Sequence, residues 1–347
     1  NHEYEAGNVE VFKKMYLDGS VYRGRKAVHW CMHCKTALAE AEIEYKDDTS
    51  TSVYVAYELN GPTPWDDQAA GTPVSVLIWT TTPWTLPANG FVTLNGDAQY
   101  VAVRVKSWVL VLAQELLEQV AQAAGWEEYE VLEGTRTGAE LSKLTYKHPV
   151  HESRSECRII TDPYVEMSTG TGAVHGAGGH GAEDNLLAVK YDLPIYMPVD
   201  DEGYFDEGGG PFKGNKVRRD DAQIVEWLEK QSTLVASSPI THSYPHCWRC
   251  KEPVIFRATE QWFVSMDKTG LRQAAIDNFD SFTWIPEWTR NRMGAMISDR
   301  PDWCISRQRS WGVPIPVHHC KDCGEVVANE ETFDAIIDLF KREGADA

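Results

Sequence analysis

Two Cys-x-x-Cys pairs stand far apart in the chain, Cys31 and Cys34 in "WCMHC" and Cys247 and Cys250 in "HCWRC", with one long β-rich stretch between them. A two-residue gap lets both thiolates of a pair turn toward one tetrahedral centre, so two pairs make one closed structural Zn2+ site. If these two share a metal, the stretch between them begins and ends at the same place, as an inserted domain requires. A third pair, Cys320 and Cys323 in "HCKDC", has no fourth pair to meet. Either its missing half lies beyond Ala347 or it recruits His318 or His319. Metal binding is preferred to disulfides because nothing in the sequence points to an oxidising compartment. The N-terminal "NHEYEAGNVEVF" lacks the basic and apolar regions of a secretory leader, and no apolar run reaches roughly 18 residues. The expected setting is cytoplasmic, with no membrane contact.

At 347 residues and 42% apolar content the chain is long enough for two or three domains with cores of their own. Its net charge of −19 opposes a broad, sequence-independent grip on nucleic acid, which needs clustered Lys and Arg. Residues 8–17 carry helical periodicity, and "VYRGRKAVHW" reads as a strand running into the first Cys pair. From Thr51 onward "SVYVAYEL", "VSVLIWT", and "YVAVRV" with "WVLVLA", joined by Lys106 and Ser107 as in a hairpin, read as strands. Helices are expected over 114–124 with Gly125 as the stop, and near 182–191, 221–230, 289–298 and 330–342. "DEGGGPFKGN" reads as a surface loop, and Cys157 as a strand core thiol.

Four stretches now carry a resemblance: "WTTTPWTLPAN", "GTGAVH" with "GHGAEDN", "SYPHCWRCKEPVIFRATEQWFV" and "RPDWCISRQRSWGVPIP". In that order and spacing, from about Gly19 to Pro316, they resemble the connective-peptide region of the isoleucyl-tRNA synthetases. Valyl and leucyl relatives are similar in outline, but their threonine-rich segment continues with Arg-Pro where this chain has Pro83-Trp84. The resemblance implies an α/β fold in which a β-rich, barrel-like editing domain with peripheral helices (49–240) lies between a segment bearing the first zinc knuckle (1–48) and one bearing the second beside a Rossmann core (241–347). It implies hydrolysis of tRNA(Ile) mischarged with valine, with the tRNA 3′ end, valine and isoleucine esters and the remainder of the synthetase as partners. The ATP-binding signatures His-x-Gly-His and Lys-Met-Ser-Lys-Ser are absent, so ligation is not expected of this chain. Gln308 and Trp311 resemble residues that face the aminoacyl adenylate.

Ester hydrolysis needs a positioned water, donors for the developing oxyanion, and a grip on the ribose and the ammonium. Thr80, Thr81, Thr82 and Thr85 supply hydroxyls at the end of an apolar strand, Pro83 and Pro87 restrict the backbone that carries them, and Asn89 and Trp84 belong to the same loop. Without the downstream motif, structural strand and capping roles would account for these threonines. In "GTGAVHGAGGHGAEDN", the resemblance assigns Asp184 to the substrate ammonium and His175 to the pocket wall. An acid in a first helical turn also offsets the helix dipole regardless of substrate, and His180 is read as structural. No Ser-His-Asp or Cys-His order is present, so water is expected to attack directly. The relatives carry Thr-Ala-Pro after the first of these histidines, where this chain has Gly176, Ala177 and Gly178, followed by Gly179. That departure predicts a looser loop and a wider pocket, with Gly176 able to approach the ribose. Two other classes remain open: a zinc-bearing module that holds the tRNA 3′ end without cleaving it, and a zinc scaffold without ester chemistry.

Overall fold

The computed structural model describes residues 1–310 and 312–347. Two compact units divide the chain: residues 1–28, 36–41 and 259–347 form the first, and residues 29–35 and 42–258 the second. Among the described residues no helix is long and apolar enough to cross a membrane.

In the first unit, helix His2–Leu17 is capped by Asn1, whose side chain accepts from the Glu3 N–H. Its Ala6 and Val9 are buried with Phe333, Ile337 and Phe340 of helix Glu330–Glu343. That second helix opens with a capping box between Asn329 and Thr332. A four-stranded sheet runs in the order Trp303–Cys304, Ile255–Val264, β1 (Val21–Cys31) and β2 (Thr36–Leu38).

The second unit is built on strands β3 (Ile43–Asn60), β4 (Val74–Thr80), β5 (Phe91–Leu94), β6 (Gln99–Val105), β7 (Trp108–Ala113), β8 (Glu130–Val131), β9 (Arg136–Thr137), β10 (Thr145–Tyr146), β11 (Cys157–Thr161), β12 (Ala173–Gly176) and β13 (Leu234–Cys247). Pairing runs β3–β10–β11–β5–β12–β4 and returns from β4 to β3, so six strands close a ring. Closure removes the open edges of those six strands. The mixed α/β class expected from the sequence is therefore present. The hairpin β6–β7 branches from β4, and Lys106 turns it with φ 51°.

β3 changes character along its length. Residues 53–57, Val-Tyr-Val-Ala-Tyr, are all buried within the ring, whereas residues 45–47 are exposed. That outer half pairs with β13 as a long antiparallel ribbon, in register from Ile43 opposite Cys247 to Tyr54 opposite Ala236, after which a bulge brings Leu234 opposite Val55. The boundaries expected from the sequence, at 48/49 and 240/241, fall within this ribbon. Helix Ala182–Lys190 lays Leu187 and Ala188 on Phe91, Ile160 and Leu193. The stretch expected as a surface loop instead tucks Phe212 into the unit, its ring 5.5 Å from that of Trp227.

Candidate functional site

β4 ends at Thr80, and the chain then turns through a buried 3-10 segment, Pro83–Ala88, to Asn89. The hydroxyls line up along this turn. Thr80 Oγ1 accepts from the Thr82 N–H at 3.1 Å and lies 3.1 Å from Thr82 Oγ1, which is 3.3 Å from Thr85 Oγ1. The Thr85 hydroxyl donates to the Thr82 carbonyl at 2.8 Å, so its oxygen is left to accept from His175 Nε2 at 3.0 Å.

This assigns the proton of His175 to Nε2 and leaves Nδ1 as an acceptor. Nδ1 receives the Asn89 amide at 2.7 Å and the Tyr57 hydroxyl at 3.3 Å. Asn89 Nδ2 also donates to the Phe91 carbonyl, and Asn89 Oδ1 accepts from the Tyr146 hydroxyl. Burial pushes the His175 pKa down to about 3, so the ring is neutral at physiological pH. Asn89 and His175 thus sit in a buried, saturated network, with Thr85 at its edge. Thr80, Thr81 and Thr82 form its half-buried outer end.

A cavity of about 260 Å³ opens beside this turn, lined by Thr82, Trp84, Thr85, His180, Tyr244 and Ile255 among others. Tyr244 is held from behind by the Arg218 guanidinium, 3.9 Å from its ring centre, and Arg218 pairs with Asp48 at 2.5 Å. Among the described residues, Trp84 Nε1 and His180 Nε2 are buried without any hydrogen-bond partner, a condition costing about 1–3 kcal/mol per group.

Asp184 sits in the first turn of helix Ala182–Lys190, where its carboxylate accepts from the Ala177 N–H at 2.9 Å. Burial pushes its pKa up to about 6 against that hydrogen bond, and Glu183 adds to the rise. The loop it grips is not loose. Asn185 donates to the Gly178 carbonyl and the His180 N–H to the Ala177 carbonyl, both at 2.8 Å.

The glycines of this loop mark close contacts, which overturns the wider pocket expected from them. A Cβ on Gly176 would lie 2.3 Å from the Phe91 ring, and one on Gly179 would lie 2.0 Å from the Tyr196 carbonyl oxygen. One on Gly178 would press on Ala188 and Ile195 at 3.0 and 3.3 Å.

The two knuckles meet as expected from the flanking Cys pairs. Cys31, Cys34, Cys247 and Cys250 place all their sulfurs within 4.8 Å of one another, with Cys31 Sγ 3.4 Å from Cys250 Sγ. Four thiol donors from two Cys-x-x-Cys turns fit a tetrahedral Zn2+ site of the structural kind. The Cys34 N–H points at Cys31 Sγ at 3.2 Å. Burial opposes ionisation of Cys247, but the N–H groups of Cys250 and Arg249 at its sulfur hold its pKa below the usual thiol range; burial pushes Cys31 up.

A family model described as tRNA synthetases class I (I, L, M and V) matches residues 1–347, the whole chain. The chain belongs to this family. It is 46% identical to the isoleucine–tRNA ligase of Desulfotalea psychrophila over 348 residues, covering 100% of this chain and 37% of that protein. The isoleucine–tRNA ligase of Thermotoga neapolitana is 46% identical over 346 residues, covering 99% of this chain and 36% of its own length. The chain therefore spans little more than a third of the curated relatives it matches. A solved structure described as "The crystal structure of GlLeuRS-CP1" covers 54% of this chain and 98% of its own at 16% identity, with a TM-score of 0.43.

In this class I synthetase chain, the two residues that resembled adenylate contacts are Gln308 and Trp311. Gln308 lies in the first unit and turns its amide inward: its oxygen accepts from the Ala37 N–H at 2.9 Å, and its NH₂ donates to Gln261 at 3.1 Å. Trp311 lies outside the described residues. His318 and His319 pair as a short strand with Val326 and Val327, and neither joins Cys320 and Cys323 in a metal-binding group among the described residues. Tyr57 and Tyr146 were not legible as site residues, because each reaches His175 or Asn89 only through ring closure. Tyr244 lies within a quoted motif, but no local signal marks it as a cavity wall.

Proposed function

We propose that the second unit is an editing hydrolase that cleaves the valyl ester of tRNA(Ile). The observation that carries this reading is the small, largely apolar cavity bordered on one side by the outer end of a hydroxyl chain whose inner end is locked. Discrimination of isoleucine from valine by a single pocket rests on one methylene, about 1–3 kcal/mol, the standing example of a limit that demands a second site. Membership in the class I family and the isoleucine–tRNA ligase relatives support that substrate.

In this reading Thr80, Thr81 and Thr82 orient the attacking water and the terminal adenosine. His175 acts through Thr85, holding it in one rotamer without exchanging a proton at neutral pH. Water oxygen bonds to the ester carbon, the bond to the ribose oxygen breaks, and the water proton passes to that ribose oxygen, aided by the neighbouring hydroxyl of the sugar. Asp184, ionised above about pH 6, attracts the α-ammonium toward the loop at 177–181. Cys31, Cys34, Cys247 and Cys250 would hold Zn2+, which ties the base of the β3–β13 ribbon together and takes no part in the chemistry.

The test is hydrolysis of Val-tRNA(Ile) and Ile-tRNA(Ile) by this chain and by Thr82→Ala. Rapid loss of the valyl ester, sparing of the isoleucyl ester and a tenfold or greater slowing in the variant are expected. A chain that binds the charged tRNA but cleaves neither ester is a holding module, and the editing reading fails.

A further inference from the structure

The turn that carries the threonines ends on a buried carbonyl with no local donor. Pro87 is buried, and the Gly90 N–H that a continuing 3-10 ladder would offer its oxygen goes instead to the Gly176 carbonyl at 2.9 Å. A buried carbonyl left bare is costly, so its donors must come from another segment. They come from the loop between β10 and β11. Arg154 Nη1 donates to the Pro87 oxygen at 3.1 Å, and His151 Nε2 lies 3.2 Å from the same atom. That loop is closed on itself: the His148 N–H donates to the Arg154 carbonyl and the Arg154 N–H to the His151 carbonyl, both at 3.0 Å. The guanidinium also lies over the Tyr196 ring, its carbon 3.6 Å from the ring centre, and among the described residues no carboxylate pairs with it. Tyr196 in turn packs its own carbonyl so tightly on Gly179 that a Cβ there would lie 2.0 Å from the oxygen. One side chain therefore touches the threonine turn directly and, through Tyr196, the backbone on which the loop at 176–181 rests.

We propose that Arg154 is a positioning residue of the hydrolytic site, a brace that sets the spacing between the threonine turn and the loop leading from His175 to Asp184. The proposal rests on the editing reading, in which turn and loop carry groups that must meet one ester. Misplacing such groups by ~1 Å can cost on the order of 100-fold in rate. Neither Arg154 nor Tyr196 lines the cavity, so the brace acts on geometry and not through a contact with substrate. Arginine suits the task because a planar guanidinium can rest its face on a ring while its edge donates sideways to a carbonyl. A lysine ammonium supplies the charge without the plane.

Hydrolysis of Val-tRNA(Ile) and amide hydrogen exchange, both measured on the full chain, test the brace. Arg154→Met should lower kcat tenfold or more with KM within twofold of the parent, and Arg154→Lys should recover little of that loss. Tyr196→Leu should act like Arg154→Met, and Tyr196→Phe, which keeps the ring, should restore the rate. The chain carrying both Arg154→Met and Tyr196→Leu should be no slower than either single variant, because one brace cannot be removed twice. Exchange over 88–90 should quicken tenfold or more in Arg154→Met, since the Gly90–Gly176 bond joins the two halves, while exchange over β6 and β7 stays that of the parent. A merely structural arginine would quicken exchange in both places, or lower the melting temperature with kcat intact. The proposal is overturned if exchange at the turn is unchanged, if it quickens equally over the hairpin, if Arg154→Met cleaves the valyl ester at the parent's rate, or if the two single losses add. Should the parent cleave no ester while exchange responds as expected, the editing reading falls and the brace stands; a cleaving parent with an unresponsive turn sinks the brace alone.

Discussion

The second unit holds two polar centres that are completed in opposite ways. At the cysteine cluster four sulfurs lie within 4.8 Å and bring no cation of their own. Once ionised they repel one another, and only a bound metal turns the crowding into cohesion. Around His175 every strong donor finds an acceptor inside the protein, from Tyr146 through Asn89 and the imidazole to Thr85 and the Thr82 carbonyl. That network needs no ligand to persist. The first centre would therefore be vulnerable to loss of a bound ion, and the second to loss of a single side chain.

The largest expected effect breaks the metal side of this contrast. Structural zinc in small modules carries on the order of 10 kcal/mol of coupled folding energy. The doubly substituted Cys31→Ser, Cys247→Ser chain should lose its zinc and melt well below the parent. A Cys320→Ser, Cys323→Ser chain should retain the same zinc, as elemental analysis would read; equal zinc in both variants would remove the distinction between the knuckles. An intermediate effect belongs to the saturated side. His175→Phe leaves Asn89, Tyr57 and Thr85 each one partner short and should cost about 2–3 kcal/mol in denaturant unfolding without changing zinc content. A cost indistinguishable from zero would mean that the network is not under tension to stay whole.

The smallest effect concerns Asp184, a charge at the margin that the fold alone does not neutralise. Its carboxyl titrates at about 6 in the folded chain and near ~3.9 when unfolded. The folded state therefore binds more protons between those values. The stability that the protonated form contributes is full below about pH 4 and is lost as pH rises through about 6. Asp184→Asn, whose amide oxygen can still accept from Ala177, should match the parent at pH 4. At pH 8 it should exceed the parent by on the order of 1–2 kcal/mol, after allowance for the partial exposure of the site. A difference that stays flat with pH would show that burial does not penalise this charge.

The knuckles show how far a local reading reaches. At both 247–252 and 320–325 the first cysteine donates its N–H to the carbonyl five residues on and accepts from the N–H four residues on, and each turn carries a left-handed residue, Lys251 with φ 65° or Gly324 with φ 72°. The turn was legible because backbone geometry over six residues depends on those residues. The completed donor set was legible as well, because two distant pairs flanked one β-rich stretch. The glycines were misread for the opposite reason. Gly176, Gly178 and Gly179 look like missing side chains when set beside relatives, yet Phe91, Ala188 and Tyr196 occupy the space those side chains would take.

Strand texture, helix ends, the paired knuckles and the hydroxyl run after β4 follow from periodicity, turn chemistry and ligand spacing, all of which act over a few residues. The roles within the site follow from contacts between residues far apart in the chain. Tyr57 and Asn89 converge on His175 because β3, β5 and β12 are members of one closed ring. His180 keeps a bare lone pair because Phe256, from a distant strand, takes its only proton. Burial and the identity of the hydrogen-bond partner set the tautomer and charge of each histidine, and those are properties of the packed ring rather than of any segment within it.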